Sequence, residues 1–193
     1  MIINKIDNFQ EQLSQKWIFP NIKDLSKYLY KIREDFDLSV SLYLKSDRKN
    51  DLIFSGIELK NTFKCYIKKY PLGCCYHIND LVFKFIKQDK ERPQYLTNFI
   101  KEGGIVKKIW GQIKNIYFQS AMQFGAYYVD VSNDTVDITK HKIEILLFSE
   151  SQFKNIDSLL QYSKIKESYH NVKVYPNIYY PEISYAIPLF YVS

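Results

Sequence analysis

The sequence predicts an α+β fold in which N-terminal helices pack on a C-terminal antiparallel β-sheet. Apolar residues recur at helical spacing through the first half of the chain, and β-rich runs separated by tight turns fill the stretch from residue 105 onward. The 193 residues, 46% hydrophobic and 25% charged, are an ordinary globular mixture that excludes disorder as the main state. This length reads as one α+β domain over 1–193. Residues 1–56 supply a helix and a strand, 57–134 the core motifs, and 135–193 the sheet completion and a C-terminal helix.

After Pro20 and a candidate cap at Asn21, apolar residues at Ile22, Leu25, Tyr28, Leu29, Ile32 and Phe36 predict a helix. Phe36, Leu38, Val40, Leu42 and Leu44 then alternate with Asp37, Ser39 and Ser41, the pattern of a half-buried strand. Ile57, Leu59, Phe63, Tyr66, Ile67 and Tyr70 share a helical face that Pro71-Leu72-Gly73 stops. Ile78, Leu81, Val82, Phe85 and Ile86 predict a second helix, opening near Cys75 or Tyr76 and buried against the later sheet. Tyr95, Leu96, Phe99 and Ile100 predict a short helix closed by Gly103-Gly104.

Strands are expected over 105–110, 116–123 and 126–131, with Phe124-Gly125 as the turn between the last two. Ile143, Ile145 and Leu147 alternate within a further strand over 142–148. A helix over 151–162 and strands near Val172 and over 185–192 complete the order.

The net charge of +6 and the pI near 9.0 come from basic residues spread along the chain, which reads as a solvated lysine-rich surface. An anionic or nucleic-acid partner is the minority reading of that charge. No apolar run approaches the roughly 18 residues that span a bilayer, so no membrane partner is expected. The opening Met1-Ile-Ile-Asn-Lys-Ile-Asp-Asn lacks the apolar core of a secretory leader, and the expected location is cytoplasmic. Three cysteines, two of them adjacent, read as intracellular thiols and not as a disulfide framework.

The segment from Tyr70 to Asp80 carries the most chemistry. A cysteine in the first turn of a helix sits at the positive end of the backbone dipole beside unpaired N–H groups. Both effects favour thiolate, so Cys75 is expected to have a lowered pKa, as a nucleophile requires. Gly73 permits the sharp turn before it. The run Phe118 to Asp134 reads as a strand, a tight turn at Gly125 and a second strand ending in Asp130.

Together these segments resemble the compact bacterial transglutaminase-like and papain-like cysteine hydrolases over residues 57–134. In that family an aromatic-Pro-x-Gly-x-Cys break opens the nucleophile's helix, and Tyr70, Pro71, Gly73 and Cys75 match it position by position. The family continues with a histidine-bearing strand, a turn, and a strand ending in the Asp that orients the histidine. Gly125 matches the turn and Asp130 the acid. The resemblance implies a papain-like core and a cysteine-dependent amide hydrolase or acyltransferase, or a degenerate form of one, acting on or binding a protein or peptide.

The family's histidine position falls at or beside Gln119, and glutamine cannot take a proton at neutral pH. Only His77, His141 and His170 exist to replace it. His77 lies two residues past Cys75 on one helix and faces another side. His141 reaches the site only if its strand pairs alongside, and His170 reads as a solvated loop residue. The candidate site is therefore Cys75 as nucleophile, Asp130 as orienting acid, Gln119 as polar contact or oxyanion donor, and His141 as substitute base. The alternatives are a catalytically inactive scaffold serving as a binding or regulatory module, and a nucleic-acid- or anion-binding domain that uses the basic charge and abundant tyrosine.

No cofactor or metal is implied. Cys74-Cys75-x-His77 lacks a second ligand pair at zinc spacing, and the Asp130, Ser132, Asp134, Asp137 turn lacks the glycine and distal glutamate of an EF-hand loop. Turn capping explains that acidic cluster instead. No glycine-rich phosphate loop is present.

Overall fold

In the computed structural model, which describes residues 3, 6–45, 53–54, 56–58 and 67–192, the chain is mixed α+β and divides into two units. The first comprises Met1–Ile109 and Ser120–Ser151, the second Trp110–Gln119 and Gln152–Ser193. The boundary falls within strands β3 (Val106–Ile113) and β4 (Tyr117–Phe124), so each strand contributes to both.

The first unit opens with α1 (Asn8–Leu13), capped by Asp7, whose Oδ1 accepts from the Gln10 N–H at 2.9 Å. A π-helical turn Ser14–Ile18 and a 3-10 turn Phe19–Asn21 lead into α2 (Ile22–Lys45). The strand expected over Phe36 to Leu44 is the second half of this helix. Phe36 and Val40, four apart, satisfy both a two-residue and a helical period, and they extend the buried stripe of Leu25, Leu29, Ile32 and Arg33. Leu38, Leu42 and Leu44 of the same alternation face solvent, half or more exposed.

β1 (Ile53–Phe54) and β2 (Ile57–Glu58) pair antiparallel around Gly56. Ile57 thus lies in a strand where a helix was expected. Leu59, Phe63, Cys65 and Tyr66 fall outside the described residues, and Ile67–Lys69 forms a 3-10 turn.

α3 (Cys75–Gln88) starts where the sequence indicates and buries Ile78, Asn79, Leu81, Val82, Phe83 and Ile86. Phe85, expected among these, is half-buried and packs its ring 5.7 Å from Phe54. α4 (Gln94–Lys101) buries Leu96 and Phe99 and ends at Gly103, at a φ of +94°.

The unit's sheet runs β6-β5-β4-β3, with β5 (Tyr127–Asp130) antiparallel to both β4 and β6 (Glu144–Leu147). Gly125 makes the β4–β5 turn at a φ of +57°, and a Cβ there would sit 2.3 Å from Ser14 Oγ. Met122, Phe124, Tyr127, Val129 and Val131 form the sheet's contribution to a core completed by α2, α3 and α4. The unit closes with α5 (Phe148–Ser151).

The second unit adds β7 (Phe153–Lys154) to β3 through Gln112↔Lys154 and Ile113↔Phe153. Its helix α6 spans Leu159–His170, eight residues beyond the expected start at 151. Phe153 is committed to β7, Gln152 turns left-handed at a φ of 56°, and Ser158 supplies the cap by accepting from the Gln161 N–H at 3.1 Å. His170 is the last residue of that helix and not part of a loop. Phe118 centres an aromatic cluster, stacked on Trp110 at 5.4 Å and flanked by Tyr162, Tyr169 and His170. β8 (Lys173–Pro176) and β9 (Leu189–Val192) form a separate antiparallel pair. Part of the strand expected over 185–192 is thus loop. Among the described residues no helix is long and apolar enough to cross a membrane.

Candidate functional site

The Cys75 site is built on a turn held from two directions. Gly73, at a φ of +73°, donates its N–H to the Thr135 carbonyl at 3.0 Å, and the Cys74 N–H closes onto the Pro71 carbonyl at 3.0 Å. The loop that carries Thr135 is held by Arg33 of α2, a fully buried residue. Arg33 donates to the Val131 carbonyl at 2.9 Å and forks onto both Asp134 carboxylate oxygens at 2.8 and 2.9 Å. Its Nε donates to Asp37 Oδ1 at 2.8 Å, Asp37 also accepts from the Tyr70 hydroxyl, and Lys142 Nζ reaches Asp37 Oδ2 at 2.6 Å. Burial pulls the Arg33 guanidinium down, but the Asp134 hydrogen bonds, with Tyr70 and Asp37, more than restore it, and its pKa stands above the ordinary value. This network ties α2, the turn before α3 and the loop after β5 into one frame.

Cys75 is the first residue of α3, with Cys74 at the cap position. Three backbone N–H groups favour its thiolate, those of Ser120, Tyr76 and Cys75 itself. Burial opposes them and is the largest effect. With the Asp130 carboxylate acting in the same direction, the thiol is pushed up to about 11. The lowered pKa expected from the helix start is therefore reversed. A helix terminus contributes about 0.3–1 kcal/mol, less than a tenfold change in acidity, and desolvation of the sulfur outweighs it. Burial pushes the neighbouring Cys74 thiol up to about 11 as well.

Asn79, one turn along α3 from Cys75, fixes the strand that supplies the Ser120 N–H. Its Nδ2 donates to Ser120 Oγ at 2.9 Å and to the Ala121 carbonyl at 2.8 Å. Asp130 is buried at the end of β5 and accepts from the Ser132 N–H at 2.7 Å, Ser132 Oγ at 2.9 Å and the Tyr128 hydroxyl at 2.9 Å. Ser132 Oγ also lies 3.4 Å from the Ser120 carbonyl. Cys75, Ser120, Asn79, Asp130 and Ser132 thus form one polar centre at the junction of α3 with β4 and β5.

Of the residues singled out by sequence, the structure brings Cys75 and Asp130 into this centre. Gln119 is buried on β4, directly before Ser120 in the chain, and belongs to the second unit. His141 is exposed before β6, and its carbonyl accepts from Asn133 Nδ2 at 3.1 Å. His77 packs edge-on against Tyr76 at 5.5 Å, and burial lowers its pKa. Burial and Lys166 lower that of His170 in the second unit's aromatic cluster.

The acidic turn resolves into internal contacts. Asp134 takes Arg33, Asp130 takes Ser132, and Asp137 accepts from the Thr139 hydroxyl at 2.7 Å. Among the described residues, no group of three or more His, Cys, Asp or Glu side chains could hold a metal ion.

Ser120, Asn79 and Arg33 were missed by sequence reasoning. Asn79 had a legible signal in its four-residue spacing from Cys75, whereas the pairing of Arg33 with Asp134 is too distant in sequence for any local pattern. Compared with known proteins, the chain matches no family model, no curated protein and no solved structure.

Proposed function

We propose that this chain is a catalytically silent scaffold of the papain-like, transglutaminase-like kind, which uses the surface around Cys75 to bind a protein or peptide. The observation that carries this reading is the state of the cysteine. Burial and Asp130 together raise its pKa above the ordinary thiol value, against the three backbone N–H groups that favour the thiolate. Cysteine hydrolysis needs a thiolate and a base that can take and return a proton. Asp130 accepts three hydrogen bonds from its own strand and turn, which suits a structural acid. The resemblance puts the family's histidine at Gln119, whose amide donates and accepts hydrogen bonds without moving a proton.

A second reading, a working amide hydrolase or acyltransferase, draws on the three backbone N–H groups that favour the thiolate. Such donors are what a developing negative charge requires. Substitution of Cys75 separates the two. Under the silent reading the wild-type chain shows no Cys75-dependent turnover of peptide amides, and Cys75 is alkylated no faster than an ordinary thiol at neutral pH. Wild-type turnover abolished by Cys75→Ser establishes the enzyme reading instead.

A further inference from the structure

The hairpin formed by β8 and β9 exposes apolar surface that its own unit does not cover. The register pairs Tyr175 with Phe190, which puts them on one face of the ribbon, and the Tyr180 ring folds back to 6.4 Å from Phe190 on that face. Beyond them the connecting segment presents Ile178, Tyr179 and Tyr185, exposed by 70%, 77% and 88%.

This segment is a built structure. Asn177 donates its N–H to the Pro188 carbonyl at 2.9 Å and its Nδ2 to the Ile187 carbonyl at 2.8 Å, and it accepts the Tyr180 N–H at 3.0 Å. A 3-10 turn at Pro181–Ile183 follows. A backbone fixed by such a frame loses little freedom on docking.

Charge and area indicate what covers them. From residue 174 to residue 192 the only charged side chain is Glu182. Nucleic acid and anionic lipid both require several cations at the contact, and this face offers one, Lys173 at the strand end of the hairpin. At roughly 150–250 Å² for a whole tyrosine, the open parts of Tyr175, Tyr179, Tyr180 and Tyr185 present about 500 Å². Ile178 extends this toward the ~800 Å² that each partner gives to a standard interface. A chain of net charge +6 repels its own copies except where it is uncharged. Here Lys173 lies at the strand end of the hairpin and Glu182 in its connecting segment, so two hairpins stacked antiparallel about a two-fold axis set each Lys173 near the other copy's Glu182.

We infer that this chain self-associates through the β8–β9 hairpin, the occupant of the aromatic face being the same face of a second copy. Sedimentation velocity over a concentration series tests it. The wild type should show a concentration-dependent dimer, with a Kd on the order of 1–100 μM. Tyr179→Glu with Tyr185→Glu should weaken it at least about tenfold. The milder pair Tyr179→Ser with Tyr185→Ser, which adds no charge, should weaken it in the same direction with an unchanged circular dichroism spectrum. Leu38→Glu, on an exposed face of α2, should leave it intact. A wild type that stays monomeric at about 200 μM overturns the proposal. So does a dimer that survives both tyrosine pairs, or a monomer that instead sediments with anionic vesicles through these tyrosines.

Discussion

Arg33 illustrates how much of the candidate site's frame depends on a single buried charge. Its guanidinium makes hydrogen bonds to Asp134, Asp37 and the Val131 carbonyl, which join α2 to the loop that anchors Gly73, two residues before Cys75. Removing one partner of a buried pair leaves the other charge without compensation, which costs more than the pair contributes when intact. Arg33→Met should therefore lower stability by about 3–5 kcal/mol in urea unfolding, and Arg33→Met with Asp134→Leu should cost less than Arg33→Met alone. A loss below about 1 kcal/mol for the single variant would show that the network does not hold the frame. The same scale shows why the sequence misled about Cys75. Its place at a helix start was legible from Pro71 and Gly73, but the desolvation that decides its acidity depends on packing that only the folded chain creates.

At the scale of elements, the segments with one unambiguous period were read well. α3, α4, the β4–β5 hairpin at Gly125 and β6 lie where apolar spacing and turn residues place them. The errors arose where two periods coincide or where caps compete. Phe36 and Val40 fit strand and helix alike, and what decides is the continuous stripe back to Leu25 on a helix of 24 residues. This assignment has a measurable signature. Phe36→Ala should cost about 3–5 kcal/mol, whereas Leu38→Glu and Leu42→Glu should each change stability by less than about 0.5 kcal/mol. In a half-buried strand all three would share a face, and the leucine substitutions would be as damaging as the phenylalanine one. The late start of α6 follows the same logic, because the serine cap at 158 and the pairing of Phe153 in β7 prevail over a pattern that reads as helical from 151.

For the whole molecule, the α+β class was legible because helical and strand periods are segregated along the first two-thirds of the chain. The division into two units was not, since it cuts through β3 and β4 and leaves no linker composition to read. The central claim concerns what the fold does to one sulfur. At Cys75, the first residue of α3, burial and the Asp130 carboxylate raise the thiol pKa and outweigh the three backbone N–H groups that favour the thiolate. Because its pKa in the folded state lies above the ordinary thiol value, the neutral form prevails through physiological pH and gives way only as the pH climbs toward about 11. The most direct measurement is the rate of iodoacetamide alkylation of Cys75 in the native protein across a pH series, read by peptide mass spectrometry. A rate that is low at neutral pH and rises toward a midpoint near about 11 is the predicted result. Rapid alkylation with a midpoint below about pH 7.5 would contradict it, because that is the range of activated thiolates.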